Sequence, residues 1–90
     1  MKRVHVFVSG KVQGVNFRWN TMTKAKELGI KGWVRNLMDG RVEVVAEGEE
    51  DKIEEFVKFL RQGPPRSQVT KIEVKEEKFK NEFREFSIVY

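Results

Sequence analysis

The sequence predicts an α+β domain in which two helices cover one face of a mainly antiparallel β-sheet. Valines alternate with other residues from Lys2 to Ser9, the period of a strand. Apolar residues recur at helical spacing from Ile53 to Leu60. Asp39-Gly40 is a turn signal between two strand-like runs, which predicts a hairpin. The resulting order, βαββαβ with a short C-terminal strand, is the ferredoxin-like plan.

The first half of the chain is predicted to form a strand, a helix and the hairpin. Its elements are strand Lys2–Ser9, loop Gly10–Asn16, helix Phe17–Leu28, strand Ile30–Asn36 and strand Arg41–Glu47. Within the helix, Met22, Ala25 and Leu28 form the expected apolar stripe. Gly29 suits the position that ends a helix.

The second half begins with a helix whose apolar face is clear. Asp51 and Glu54 resemble a capping box, with a carboxylate replacing the usual hydroxyl. Gly63-Pro64-Pro65 ends the helix, because proline lacks the N–H that would continue it. The remaining expected elements are strand Val69–Glu77, a charged hairpin connection over Lys75–Glu85 and strand Phe86–Tyr90.

The predicted topology brings two distant segments together. In this plan the first four strands have the order 4-1-3-2, and a right-handed crossover makes strands 1 and 2 parallel. The carboxyl ends of these two strands then lie at the same edge of the sheet. We therefore expect the loop after Ser9 and the strand end near Asn36 to meet on one side of the molecule.

Length and composition exclude several classes of protein. With 90 residues, the chain is expected to be a single domain over residues 1–90. It has no cysteine and one histidine, His5, which excludes disulfides, thiolate metal sites and clustered-histidine metal sites. No apolar run has the length of a membrane helix, and the first residues lack the apolar stretch of a signal peptide. We expect a cytoplasmic protein.

Charge is the unusual feature of the composition. Charged residues make up 36% of the chain, against about 25% in an average domain. Lysine and arginine number 18 and the acids 14, which gives a net charge of +4. A basic surface for nucleic acid is one interpretation, and the mixed Lys/Glu surface of a thermophilic protein is the other. Both signs are mixed along the chain, which favours the thermophilic interpretation.

The loop from Gly10 to Arg18 is the segment whose residues predict chemistry. Its glycines let the backbone approach an anion, and the helix that follows offers unpaired N–H groups and a partial positive charge. Arg18 is mildly unfavourable in a first helical turn, which indicates that a bound anion holds it. The glycines alone fit a plain turn equally well. The segment matches neither the Walker A nor the dinucleotide pattern.

Two separated motifs carry a family resemblance. One is Gly-x-Val-Gln-Gly-Val-x-Phe-Arg, present as Gly10–Arg18, and the other is Gly-Trp-Val-x-Asn, present as Gly32–Asn36. Gly40 in the hairpin and Gly63-Pro64-Pro65 before the fourth strand add to the pattern. With these motifs at this spacing, the sequence resembles the acylphosphatase family over essentially its whole length. Asn16 occupies a position that varies in that family.

The resemblance implies hydrolysis of the carboxyl–phosphate bond of small acyl phosphates to a carboxylate and inorganic phosphate. It implies that Arg18 and backbone amides of the loop hold the phosphoryl oxygens, and that Asn36 orients the attacking water. The implied amides are those of Gln13, Gly14, Val15, Asn16, Phe17 and Arg18. It implies no metal and no cofactor. We expect a monomer with no nucleic-acid or membrane partner.

Two other functions are compatible with the same fold. An RNA-binding module would need aromatic residues in an RNP1-like run on a central strand, and Arg41–Glu47 has none and carries two acids. A non-catalytic anion-binding domain is the second alternative, since acylphosphatase-like domains also occur at the start of larger maturation proteins. Phosphate release would separate the enzyme from this alternative.

The thermophilic interpretation predicts high thermal stability. We expect the protein to melt above about 65 °C, the upper end of the range for mesophilic domains. Differential scanning calorimetry measures this directly. A melting temperature inside the mesophilic range would contradict the interpretation of the charged surface.

Overall fold

A computed structural model describes residues 1–90 as five strands and two helices. Their bounds are β1 Lys2–Lys11, α1 Phe17–Glu27, β2 Lys31–Asn36, β3 Val42–Gly48, α2 Glu50–Gln62, β4 Gln68–Glu77 and β5 Phe86–Ile88. Neither helix combines the length and the apolar character needed to cross a membrane.

The strands form one sheet in the order β4-β1-β3-β2-β5. This confirms the order predicted for the first four strands. β1 pairs antiparallel with β3 and β4, and β2 pairs antiparallel with β3, so β1 and β2 run in the same direction. β5 adds to the edge of the sheet, parallel to β2. The predicted ferredoxin-like α+β class, with its extra C-terminal strand, is confirmed.

The core lies between the helices and one face of the sheet. Val4, Val6 and Val8 of β1 are at most 1% exposed, and they alternate with residues of the opposite face. Burying one such side chain contributes about 1.5–3 kcal/mol. Phe17, the first residue of α1, is also buried in this core. Its burial anchors the helix start and the loop that precedes it.

The stripe predicted for α1 is partly wrong. The buried residues of the helix are Phe17, Thr21 and Ala25, while Met22 and Leu28 pack at the edge of the core. Because Phe17 is fixed in the core, the residues four and eight positions later share its face. The helix ends at Glu27, one residue earlier than predicted.

The apolar face predicted for α2 is confirmed. It consists of buried Ile53, Phe56 and Leu60, with Val57 packed beside them. The predicted capping box of Asp51 and Glu54 is wrong, because Glu49 is the N-cap and no side chain caps the helix. Glu50 and Asp51 lie in the first turn instead, where their charges interact favourably with the helix dipole.

β1 extends further than predicted. Gly10 and Lys11 were expected in the loop, but both pair with β4, after a register shift between Ser9 and Gly10. Gly10 has φ 124°, and a Cβ there would lie 2.1 Å from the carbonyl oxygen of Gln68. Glycine is therefore required for this close approach of β4, and the loop between β1 and α1 shortens to residues 12–16.

The hairpin connection predicted over Lys75–Glu85 is wrong. β4 continues to Glu77, and β5 lies at the opposite edge of the sheet, so residues 78–85 cross from one edge to the other. Hydrogen bonds from two backbone N–H groups help to hold the crossing. The Lys80 N–H donates to Glu47 at 2.8 Å, and the Gly32 N–H donates to the Glu85 carbonyl at 3.1 Å. The short last strand runs from Phe86 to Ile88 rather than to the chain end.

A network of charges covers the sheet face that the helices leave open. Arg3 is 7% exposed and pairs with Glu47 at 3.2 Å, with Glu77 at 2.9 Å and with Glu82. Burial opposes the charge of Arg3, but these three carboxylates outweigh burial and raise its pKa.

His5 belongs to the same network, because it alternates with the core-facing valines of β1 and therefore lies on the opposite face. Its Nε2 lies 2.6 Å from Glu43 Oε2 and its Nδ1 lies 2.9 Å from Glu77 Oε2. The Arg35 Nε donates to the other oxygen of Glu43 at 2.7 Å. His5 is thus a structural residue of the open face.

The network lowers the pKa of its buried carboxylates. Burial raises the pKa of Glu43, but hydrogen bonds from His5 and Arg35 outweigh it, so the net shift is downward from 4.5. Such carboxylates add stability above their unfolded pKa, and this stability is lost as the pH falls through the lower folded pKa. The protein should therefore lose stability in acid below about pH 4.5.

Glu43→Gln tests this network. The substitution removes charge-assisted hydrogen bonds, so we expect the free energy of unfolding near pH 7 to fall by about 1.5–3 kcal/mol. The loss of stability in acid should also become shallower. Urea denaturation near pH 7 and near pH 3 measures both effects.

Glu73→Gln on the same sheet face is the control. Glu73 pairs only with Lys71 at the surface, at 3.1 Å, and such pairs contribute about 0–1 kcal/mol. Equal effects of the two substitutions would contradict a special role for the network.

Candidate active site

The loop between β1 and α1 presents a run of unpaired backbone amides. None of the N–H groups from Gln13 to Trp19 donates a hydrogen bond to another group of the chain. Gly14 and Asn16 have positive φ, 74° and 62°, which turns the backbone sharply before the helix. Asparagine is one of the few non-glycine residues that tolerates this conformation. Asn16 can therefore adopt the positive φ that the loop requires at this position.

The start of α1 adds positive potential to this loop. Its first turn contains no acidic residue, and no side chain caps it. The unpaired amides and the helix dipole together make an electropositive end that favours an anion.

Arg18 lies in this first helical turn and is free of carboxylate partners. No ion pair within 4 Å involves its guanidinium. The ring of Tyr90 lies beside it, with the ring centroid 5.2 Å from the guanidinium carbon. A cation–π contact of this kind holds the group while its N–H donors stay available. Arg18 can thus present paired donors to an incoming anion.

Asn36 is the last residue of β2, where it pairs with Val42 of β3. Its Oδ1 is buried, and no group of the chain donates a hydrogen bond to it. Leaving a buried acceptor unpaired is costly, so such an atom marks a place where a donor is expected to bind. Asn36 therefore offers a fixed acceptor at the carboxyl end of β2.

These groups line one cleft of about 240 Å³ at the carboxyl ends of β1 and β2. The lining residues are Val12, Gly14, Asn16, Phe17, Arg18, Trp19, Asn36, Ile88 and Tyr90. Arg18 and Asn36 thus meet at one edge of the sheet, as the parallel arrangement of the two strands predicts. The single charged side chain of the lining is a cation, so the cleft is suited to an anion.

Gln13 and Val15 stand apart from the other predicted residues, because neither lines the cleft. The Gln13 side chain turns away and joins the loop to the β2–β3 hairpin. Its Nε2 donates to the Leu37 carbonyl at 2.8 Å and to the Arg41 carbonyl at 2.9 Å. This positioning contact fixes the loop relative to Asn36. Nothing in the sequence pattern signals it, because the two partners are backbone groups.

Sequence reasoning also missed the walls of the cleft. Trp19 lines the cleft and is 61% exposed. Ile88 and Tyr90 reach the cleft because β5 lies beside β2, and no local pattern predicts that pairing. Trp33 lies on the open sheet face instead, where Arg35 stacks over its ring at 5.3 Å.

The donor set of the cleft fits an anion and offers little to a metal ion. The lining contains no carboxylate, histidine or cysteine side chain, the groups that most often ligate metals. Elsewhere, no group of three or more such side chains is arranged to hold a metal.

The fold and the cleft together define a class, the small ferredoxin-like domains with an electropositive βα loop. Comparison with known proteins identifies the family. The acylphosphatase sequence model matches residues 4–88. The acylphosphatase of Syntrophobacter fumaroxidans is 53% identical over 99% of this chain and 92% of its own. That of Methylococcus capsulatus is 51% identical over 99% of this chain and 97% of its own.

Solved structures agree. The crystal structure of acylphosphatase from Bacillus subtilis superposes with a TM-score of 0.96 at 42% identity, with both chains covered completely. The chain belongs to the acylphosphatase family. It is an enzyme, a hydrolase, and the family and fold support action on small acyl phosphates.

Gln13→Ala tests the positioning contact. The substitution removes two partly buried hydrogen bonds that fix the loop. Each is worth about 0.5–1.5 kcal/mol, so we expect inorganic phosphate to bind about tenfold more weakly. Isothermal titration calorimetry measures the affinity, and Gln62→Ala at the exposed end of α2 is the control. Unchanged phosphate affinity in Gln13→Ala would contradict the role of this contact.

Proposed function

We propose that the cleft catalyses metal-independent hydrolysis of the carboxyl–phosphate bond, with the phosphoryl group held by Arg18 and loop amides and the water oriented by Asn36. One observation carries the proposal. An unpaired guanidinium, a run of unpaired amides and an unpaired amide oxygen share one cleft.

Phosphate binding would use the electropositive end of α1. Amides of Gly14, Asn16, Phe17 and Arg18 belong to residues that line the cleft. The amides of Gln13 and Val15, in the same unpaired run, are assigned with them. The Arg18 guanidinium would add two parallel N–H donors to phosphoryl oxygens. Each charge-assisted hydrogen bond contributes about 1.5–3 kcal/mol, and donors fixed before the reaction stabilise the transition state without reorganising.

Asn36 would orient the attacking water. A water that donates one hydrogen to Oδ1 keeps a lone pair free to attack phosphorus on the side opposite the leaving carboxylate. Phosphoryl transfer usually proceeds through a loose transition state, in which the nucleophile needs placement more than deprotonation. A neutral amide is sufficient for that task.

The bond changes then need no acid or base from the protein. The water oxygen forms a bond to phosphorus, and the bond from phosphorus to the acyl oxygen breaks. The electron pair leaves with the carboxylate, a weak base that needs no proton. The proton of the water passes to a phosphoryl oxygen. This accounts for a cleft whose lining contains no carboxylate, histidine or cysteine side chain.

Arg18 variants test the phosphate-binding part. Arg18→Ala removes paired charged contacts and should lower kcat/KM for acetyl phosphate by about 10²–10⁴-fold. Arg18→Lys keeps the charge but loses the planar fork, so an intermediate value is expected. Arg84→Ala, an exposed arginine outside the cleft, is the matched control. Phosphate release is measured with and without a chelator, which should leave the rate unchanged.

Asn36→Ala tests the placement of water. We expect kcat to fall at least about 10²-fold while KM changes little, because the substrate phosphate does not depend on Oδ1. Circular dichroism checks that the fold is retained. Wild-type rates in both Arg18→Ala and Asn36→Ala would overturn the assignment. Phosphate binding without turnover in the wild-type protein would instead support a non-catalytic anion-binding domain.

A further inference from the structure

We propose that Trp19, together with Ile88 and Tyr90, forms a subsite for the acyl group, so that the enzyme prefers aromatic acyl phosphates to small or doubly charged ones. The inference rests on the proposed function and deepens it. The family resemblance leaves the acyl group open, and acetyl, carbamoyl and phosphoglyceroyl phosphates are all chemically plausible substrates.

Two aromatic side chains at the cleft are largely exposed to solvent. Trp19 is 61% exposed and Tyr90 is 97% exposed, and neither belongs to the core or packs against it. Both nevertheless line the cleft. Aromatic side chains bury about 150–250 Å² when they are covered, so these two offer a large apolar area to a ligand.

The positions of the two rings follow from the fold. Trp19 comes directly after Arg18 on α1. Tyr90 follows β5, where the Val89 N–H donates to the Val34 carbonyl at 2.9 Å. This bond holds the chain end beside β2, and the Tyr90 ring lies 5.2 Å from the Arg18 guanidinium carbon. Both aromatic side chains line the cleft that contains Arg18, and they come from two different elements, α1 and the segment after β5.

The chemistry of the substrate connects these walls to the acyl group. A single oxygen separates phosphorus from the acyl carbon. If Arg18 and the amides hold the phosphoryl group, the acyl substituent has to lie against the rest of the lining. Apart from these phosphate-binding residues and Asn36, which is assigned to the water, the lining is apolar and consists of Val12, Trp19, Ile88 and Tyr90.

The charge of the lining argues against a doubly charged acyl group. Arg18 is the only charged side chain that lines the cleft, and the proposed mechanism commits it to the transferred phosphoryl group. A second phosphate or a carboxylate on the acyl group would find no cation in the lining. An aromatic ring would instead be covered by apolar surface, and about 60 Å² of such contact corresponds to roughly tenfold in affinity.

The test is the ratio of kcat/KM for benzoyl phosphate to that for acetyl phosphate. The intrinsic reactivities of the substrates cancel when this ratio is compared between variants. Trp19→Ala should lower the ratio about tenfold, and Trp19→Phe should keep most of it because a ring remains. Trp33→Phe, on the open sheet face, is the matched control and should keep the wild-type ratio.

Binding without turnover gives a second readout. In Trp33→Phe, Trp19 is the remaining tryptophan, so its fluorescence should change on addition of benzoyl phosphonate, an analogue with an uncleavable carbon–phosphorus bond. Methyl phosphonate should change it less.

An unchanged benzoyl-to-acetyl ratio in Trp19→Ala, which includes equal fold losses on both substrates, would overturn the subsite. These outcomes are distinct from failure of the proposed function. If the proposed function failed, the wild-type protein would release phosphate from neither substrate, or Arg18→Ala would be as active as wild type.

Discussion

The unpaired amides from Gln13 to Trp19 are the constraint around which the rest of the structure is arranged. A run of backbone donors without acceptors is unfavourable unless it is solvated or occupied by an anion. The loop that carries these amides is fixed at both of its ends. Gly10 allows β1 to stay paired with β4 up to the loop, and Phe17 anchors the helix start in the core. Between these fixed points the loop is short enough to keep its amides together.

The sheet positions Asn36, the other part of the proposed site, next to this loop. Because β1 and β2 both pair antiparallel with β3, they end at the same edge, and Asn36 therefore faces the loop. Gln13 makes this relation rigid by binding two carbonyls of the β2–β3 hairpin. At the other end of the sheet, Arg3 and Glu47 tie β1, β3 and the crossing segment together. The charge network that stabilises the fold and the cleft therefore lie at opposite ends of the same sheet.

The sequence pattern predicted the helices and strands that depend on local residues. It did not predict features that depend on pairing between distant segments. The alternation of Val4, Val6 and Val8 and the spacing of Ile53 and Phe56 gave the elements and the strand order. The capping box failed because the chain begins α2 before Asp51. The hairpin after β4 failed because the parallel pairing of β5 with β2 has no local signal.

The candidate site shows the same division. The topology predicted that Arg18 and Asn36 lie at the same sheet edge. The glycine spacing predicted the loop. Gln13 could not be separated from its neighbours, because its role depends on carbonyls of another strand pair. Trp19 could not be placed at the cleft, because an exposed tryptophan and a core tryptophan have the same sequence signature. The walls of the cleft depend on where β5 lies.

Titration of the ¹⁵N-labelled protein with inorganic phosphate observes the loop amides themselves. We expect the largest ¹H–¹⁵N chemical-shift changes on residues between Gln13 and Trp19, and we expect Arg18→Ala to remove most of them at equal phosphate concentration. The largest changes at the start of α2 or on the lysines of β4, with none in the loop, would contradict anion binding by these amides.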